Sequence, residues 1–129
     1  VADNASTVLL LEDEPLIAMD IELALKAEGF DVSSAMSCFE ASLWLNRYRP
    51  DIVVVDIELQ DGTCTDVAIR LLKNDIPFIV YSGDRQSFHV DTPFAQGTWI
   101  GKPAPPEDIV HALKVALAGR TLAKLSGNA

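Results

Sequence analysis

Residues 51–58, Asp-Ile-Val-Val-Val-Asp-Ile-Glu, constrain the fold more than any other stretch of the chain. Four consecutive aliphatic residues, three of them valine, stand between two acids with no alternation of polar and apolar positions. That pattern belongs to a strand covered on both faces, the situation of a central strand in a parallel sheet. Asp56 is thereby delivered to the C-terminal end of the strand, the edge at which open α/β sheets bind ligands.

The rest of the chain supplies matching pieces. An apolar run from Thr7 to Leu11 stops at Glu12-Asp13-Glu14, and Pro15 then opens a helix, since proline and carboxylates both suit a first helical turn. Leu16, Ile17, Met19, Leu23, Ala24 and Ala27 recur at helical spacing, Asp20, Glu22, Lys26 and Glu28 lie opposite, and Gly29 closes the helix. Residues 31–35 predict a short strand. Ser37 caps a helix running to about Tyr48, with Glu40 three residues later as a capping box requires. After Asp56 a loop from Glu58 to Thr63 leads into a helix bearing Val67, Ala68, Leu71 and Leu72. Ile76 to Tyr81 is another buried strand, ending in Ser82-Gly83-Asp84. Residues 85–96 contain Pro93 and lack an apolar stripe, so they predict a short or irregular helix and a mobile loop. Residues 98–101 form the last strand, followed by Lys102-Pro103 and an amphipathic helix from Pro106 to Leu117, with Arg120 past its end.

Strand and helix thus alternate five times. The expected fold is α/β, a doubly wound five-stranded parallel sheet with right-handed crossovers and the flavodoxin-like strand order 2-1-3-4-5. One domain is expected over residues 7–120, with flexible ends at 1–6 and 121–129. In that order the first and third strands are neighbours, which sets Glu12 and Asp13 beside Asp56. Ser82 and Lys102 reach the same edge from the other side. Crowded carboxylates either take up protons or bind a cation, and an all-oxygen cluster with room for water suits Mg²⁺. A lysine and a hydroxyl opposite provide the positive charge and the hydrogen-bond donor that a phosphoryl group needs. The chemistry expected is phosphoryl transfer with Asp56 as nucleophile or acceptor. Any one of these residues alone reads better as a helix cap or a turn. Their arrival at the ends of successive buried strands is what carries the argument.

Composition narrows the partners. The 129 residues fit one domain, and a net charge of -9 argues against a nucleic-acid surface in this segment. Two cysteines, Cys38 and Cys64, with no second pair indicate neither a zinc site nor a disulfide framework, and read as small buried thiols in a reducing cytosol. No run approaches the ~20 apolar residues of a membrane span, so a soluble, cytoplasmic protein is expected.

Four segments, Leu11-Glu12-Asp13-Glu14, Val54-Val55-Asp56, Tyr81-Ser82-Gly83 and Lys102-Pro103, together resemble the receiver domain of bacterial two-component response regulators, in the family's order and approximate spacing. The resemblance runs from Val8 to about Arg120. It implies that Asp56 accepts phosphate from the phosphohistidine of a sensor histidine kinase or histidine phosphotransferase. It further implies that Asp13, Asp56 and the backbone carbonyl of Glu58 hold Mg²⁺, with Glu12 acting through a metal-bound water. Lys102 would pair with phosphoryl oxygens, Ser82 would bond to one of them, and Trp99 would stand where the family carries its inward-turning switch aromatic. The output face would lie at residues 85–119, contacting a downstream protein and serving any homodimer. The loop after Asp56 is about two residues shorter than the family's common form and carries Gln60 where proline is usual, a feature of a subgroup of small receivers. Glu58 and Asp84, each two residues beyond a key position, are expected to tune the lifetime of the phosphate. Two other readings are an Asp-based phosphatase of the haloacid dehalogenase type, suggested by Asp61-Gly62-Thr63, and a pseudo-receiver that binds partners without phosphorylation.

Overall fold

In the computed structural model, which describes residues 5–125 and side chains as far as residue 120, Ile52–Val55 is strand β3 and all four residues are buried. Numbered in chain order, β1 (Thr7–Leu11), β2 (Asp31–Ala35), β6 (Phe78–Ser82) and β7 (Thr98–Gly101) join it in one parallel sheet. The spatial order is β2-β1-β3-β6-β7, the order expected from the sequence. Two further strands, β4 (Glu58–Leu59) and β5 (Gly62–Thr63), pair antiparallel in the segment expected to be a loop. Gly62 supplies the positive φ of 123° at that turn, a conformation L side chains rarely adopt.

Successive residues of each strand point to opposite faces, and both faces are covered. Leu9, Leu11, Val53, Val55, Phe78 and Val80 pack with helices α2 (Cys38–Arg47) and α3 (Thr65–Lys73), while Val8, Leu10, Ile52, Val54, Ile79 and Tyr81 pack with α1 (Pro15–Ala27) and α4 (Pro106–Leu125). At about 1.5–3 kcal/mol per fully buried aliphatic side chain, this double cover outweighs local preferences within any one helix. It also explains why the expected face of α1 is only partly right, Ile17 and Ala24 packing against the core. Leu16, Met19 and Leu23 are exposed, whereas Ile21 and Leu25 are buried with Ile17 packed beside them. The helix carries two apolar stripes, and the one spaced at four-residue intervals is the one that meets both the sheet and α4.

The capping expectations hold at Ser37 and Pro15 but not for the full capping box. Ser37 Oγ accepts from the Glu40 N–H at 3.0 Å, and Glu14 caps α1 with Pro15 at its first position. The Glu40 carboxylate accepts from the Met36 N–H rather than closing the box on Ser37. Helix α4 continues to Leu125, past the end expected near Leu117 and the domain limit at 120, and Arg120 lies inside it. The parts of the expected flexible ends at residues 1–4 and 126–129 fall outside the described residues.

The alternation of strand and helix breaks at the fourth crossover. Between β6 and β7 the chain makes two short 3-10 helices, Gln86–His89 and Pro93–Gln96, in place of an α-helix. Phe94 anchors them, fully buried in the core beneath α3. The approach is close at Gly97, where a Cβ would stand 2.6 Å from Phe78 Cε2 and 3.0 Å from the Phe78 carbonyl oxygen. Gly97→Ala should therefore cost about 1–3 kcal/mol, read as a lower denaturation midpoint.

The expectation of two free thiols is corrected. Cys38, at the start of α2, and Cys64, the N-cap of α3, form a disulfide with a Cα–Cα distance of 5.4 Å. The pair was invisible to spacing arguments because 26 residues separate the two cysteines and the strand β3 runs between them.

Candidate functional site

The site is built from strand ends. β1 pairs with β3 so that Leu11 stands beside Val55, and the next residues, Glu12 and Asp56, leave the sheet together. The Asp56 N–H donates to the Leu11 carbonyl at 3.0 Å, which fixes the first step of the acceptor loop. On the other side β7 pairs with β6, with Ser82 beside Gly101, and the Lys102 N–H donates to the Ser82 carbonyl at 2.9 Å. Ligand atoms of Glu12, Asp13 and Asp56 all lie within 4.8 Å of one another.

Lys102 reaches across the cluster. Its Nζ donates to Glu12 Oε1 at 2.7 Å and to Asp56 Oδ2 at 2.9 Å. Glu12 is 2 % exposed, and its other oxygen accepts from the Glu14 N–H at 3.1 Å, so both oxygens of this carboxylate already have partners. Burial pushes the Asp56 carboxyl above its ordinary 3.8, and Glu12 adds to this; Lys102 and a hydrogen bond from the Glu58 backbone act in the opposite direction without reversing it. Burial alone would lower the Lys102 ammonium. The hydrogen bonds and charges of Glu12 and Asp56 outweigh that effect and hold it above 10.5, so the lysine stays charged across the physiological range.

Three carboxylates against one ammonium leave a net negative, all-oxygen cleft. Such a donor set fits a hard divalent cation that retains water, and Mg²⁺ is the ion whose chemistry it matches. The Lys102 side chain is 19 % exposed, and its ammonium also lies 5.2 Å from the centre of the Tyr81 ring. The Tyr81 hydroxyl donates to the Ala104 carbonyl and accepts from the Ala104 N–H, both at 3.1 Å, which pins the Lys102-Pro103 turn onto the sheet. In the sequence Tyr81 was legible as the end of a buried strand and as part of the Tyr81-Ser82-Gly83 segment, but not as the residue that holds Ala104.

The remaining expected site residues fall in three groups. Ser82 is buried at the edge, its Oγ accepting from the Asp84 N–H at 3.0 Å. Trp99 lies outside the acid cluster, with its Nε1–H donating to the Phe94 carbonyl at 2.9 Å. Glu58 starts the β4–β5 hairpin and accepts from the Thr63 hydroxyl at 2.7 Å, while Asp84 lies 3.0 Å from His89 Nε2. Asp61, the residue behind the phosphatase reading, is elsewhere. Its carboxylate caps α2, accepting from the N–H groups of Cys38 at 2.8 Å and Phe39 at 3.0 Å, and these bonds hold its pKa below the usual carboxylate value.

A doubly wound parallel sheet with an acidic, cation-ready cleft at its switch point, crossed by one lysine, defines the class. The chain belongs to the response regulator receiver domain family, whose profile matches residues 8–114. It is thus a receiver domain of two-component systems, a signalling family rather than an enzyme family. It is 30% identical over 115 residues to the probable transcriptional regulatory protein TcrX of Mycobacterium tuberculosis, covering 86% of this chain and 49% of that protein. It is 32% identical over 120 residues to the phyllosphere-induced regulator PhyR of Methylorubrum extorquens, covering 90% of this chain and 45% of that protein. The chain spans about half the length of these relatives. Among solved structures, the CheY-like receiver domain protein of Methanospirillum hungatei superposes with a TM-score of 0.80 at 21% identity, covering 92% of this chain and 98% of that one. No helix among the described residues is long and apolar enough to cross a membrane.

Proposed function

We propose that this receiver takes a phosphoryl group onto Asp56 from a phosphohistidine donor and changes its binding to a downstream protein as a result. The observation that carries this reading is the Lys102 bridge, with one ammonium 2.9 Å from Asp56 and 2.7 Å from a buried glutamate. The bond from Lys102 to Oδ2 orients the Asp56 carboxylate, one of whose oxygens attacks phosphorus. In the step, a new O–P bond forms at Asp56, the P–N bond to the donor imidazole breaks, and the imidazole leaves with the electron pair of that bond and a proton from solvent. The Asp13 and Asp56 carboxylates and the Glu58 carbonyl would hold Mg²⁺, and Glu12, already committed to Lys102 and the Glu14 N–H, would reach it only through water. The ion, when bound, offsets the charge that carboxylates and phosphoryl oxygens bring together. Lys102 is placed to follow the phosphoryl oxygens, and Ser82 to donate its hydroxyl to one of them.

The donor is a sensor histidine kinase or a histidine phosphotransferase, and the downstream partner docks on residues 85–119, the face that would also serve a homodimer. A cytoplasmic location goes with this role. One solved relative of the fold, the receiver domain of a Pseudomonas aeruginosa sensor histidine kinase, holds magnesium in its active-site cleft, which supports the same ion here.

Incubation with acetyl phosphate and Mg²⁺ tests the reading. A label of one phosphoryl group per chain that is released by hydroxylamine supports it. Steady turnover of a chromogenic phosphate ester would point to a phosphatase instead, and no label at all would make the domain a pseudo-receiver. Glu58 and Asp84 each stand two residues beyond a residue of the phosphoryl site, Asp56 and Ser82, and we place the control of phosphate lifetime there. Glu58→Ala and Asp84→Ala should each change the half-life of the label by about twofold or more, and parental half-lives in both would remove that role.

A further inference from the structure

We infer that His89 is the positioning residue that converts movement of Ser82 into movement of Trp99, an inference that rests on phosphorylation of Asp56 as proposed above. The route is continuous in space. Ser82 Oγ accepts from the Asp84 N–H at 3.0 Å, so a Ser82 hydroxyl drawn toward a phosphoryl group on Asp56 pulls the Gly83-Asp84 turn with it. The Asp84 carboxylate is bonded to His89 Nε2 at 3.0 Å. The imidazole in turn lies on the Trp99 ring, with centroids 5.6 Å apart at 33°, and meets the Phe94 ring edge-on at 6.1 Å. These are spacings at which aromatic rings attract one another.

Three details make His89 a lever rather than a bystander. Its backbone is held in place, because the His89 carbonyl accepts both the Thr92 hydroxyl at 2.8 Å and the Thr92 N–H at 3.1 Å. Its side chain is only 15 % exposed, although it belongs to a surface 3-10 turn. The far end of the path is also braced, since the Trp99 Nε1–H is bonded to the carbonyl of the buried Phe94. With the His89 backbone held and the Trp99 indole anchored at one atom, a displacement of the Asp84 carboxylate turns the imidazole, and the indole answers by pivoting about its Nε1–H bond. This geometry exists because the fourth crossover lacks an α-helix, which brings a 3-10 turn and its histidine over β7.

The test uses the full chain in a Trp44→Phe background, so that indole emission reports Trp99 alone. Label on Asp56 from acetyl phosphate and Mg²⁺ is measured in the same samples, and the emission change is expressed per labelled chain. His89→Phe keeps a ring against Trp99 but loses the bond to Asp84, and His89→Gln keeps a polar partner but loses the stack. Both should label to the parental stoichiometry, which also shows that they fold, and both should lose most of the emission change. Asp84→Asn, whose amide oxygen still accepts from an imidazole N–H, should retain the response that Asp84→Ala loses. A full response in both His89 variants would overturn the coupling. A labelled parent whose Trp99 emission does not change would also overturn the coupling while leaving the phosphoacceptor reading intact, whereas an unlabelled parent would overturn both.

Discussion

Asp56→Asn is expected to abolish labelling by acetyl phosphate and, at the same time, to raise the thermal midpoint by several degrees. The first effect follows from chemistry, since an amide oxygen does not form a stable acyl phosphate. The second follows from burial. Asp56 is 13 % exposed, and loss of hydration is the main reason its carboxyl titrates above 3.8. A raised pKa means that the folded protein binds this proton more tightly than the unfolded chain does, so the ionised carboxylate costs stability at neutral pH. That cost is relieved as pH falls through the raised folded value, and it is gone once pH is below 3.8, where both states are protonated. The stability gain of Asp56→Asn should therefore be largest near neutral pH and shrink toward zero in acid. Lys102 retains Glu12 as a partner in the variant, so the replacement leaves no uncompensated ammonium. Mg²⁺ should raise the midpoint of the parent more than that of Asp56→Asn, because the variant has lost one of the anionic oxygens that would hold the ion. Thermal melts across pH, with and without Mg²⁺, check all three statements. A variant less stable than the parent at neutral pH would mean that the Lys102–Asp56 pair outweighs the desolvation of the carboxylate.

Reduction of the Cys38–Cys64 bond should produce a large loss of stability without altering the site. Closing a loop of 26 residues restricts the unfolded chain by about 3.5 kcal/mol on a chain-entropy estimate. Urea unfolding with and without a dithiol reductant reads the difference, as does Cys38→Ser with Cys64→Ser. The reduced form should also show a steeper dependence on urea, since its unfolded chain exposes more surface. The folded geometry should change little, because Asp61 ties the same hairpin to the same helix through the Cys38 and Phe39 N–H groups. A midpoint unchanged by reduction would place the stabilising effect in those hydrogen bonds instead.

The residues in these experiments were unequally visible in the sequence. Asp56 follows an apolar run that only a buried central strand explains, and its role at a strand end follows from the general behaviour of open α/β sheets. The cysteines carried no such pattern. A disulfide depends on two Cβ atoms meeting in space, and nothing in a 26-residue spacing reports that. Asp61 is a similar case. In the sequence it belongs to an Asp-Gly-Thr run that suggests catalysis, and in the structure it is a helix cap 22 and 23 residues away from the groups it binds.

What the sequence by itself determined is whatever depends on local period and on the order of elements. Continuous apolar runs marked the central strands, and acids, a hydroxyl and a lysine at their ends marked the edge. The alternation of elements then narrowed the strand order to few arrangements, because parallel strands are joined by right-handed crossovers, and the flavodoxin-like one among them is the order found. The tertiary structure alone decided which stripe of α1 is buried, that the fourth crossover is two 3-10 turns, and that Lys102 bridges residues 90 and 46 positions away. It also decided that His89 lies against Trp99. Each of these is a contact between elements distant in sequence, and its energy is fixed by which surfaces the closed sheet leaves available, a quantity that no window of neighbouring residues contains.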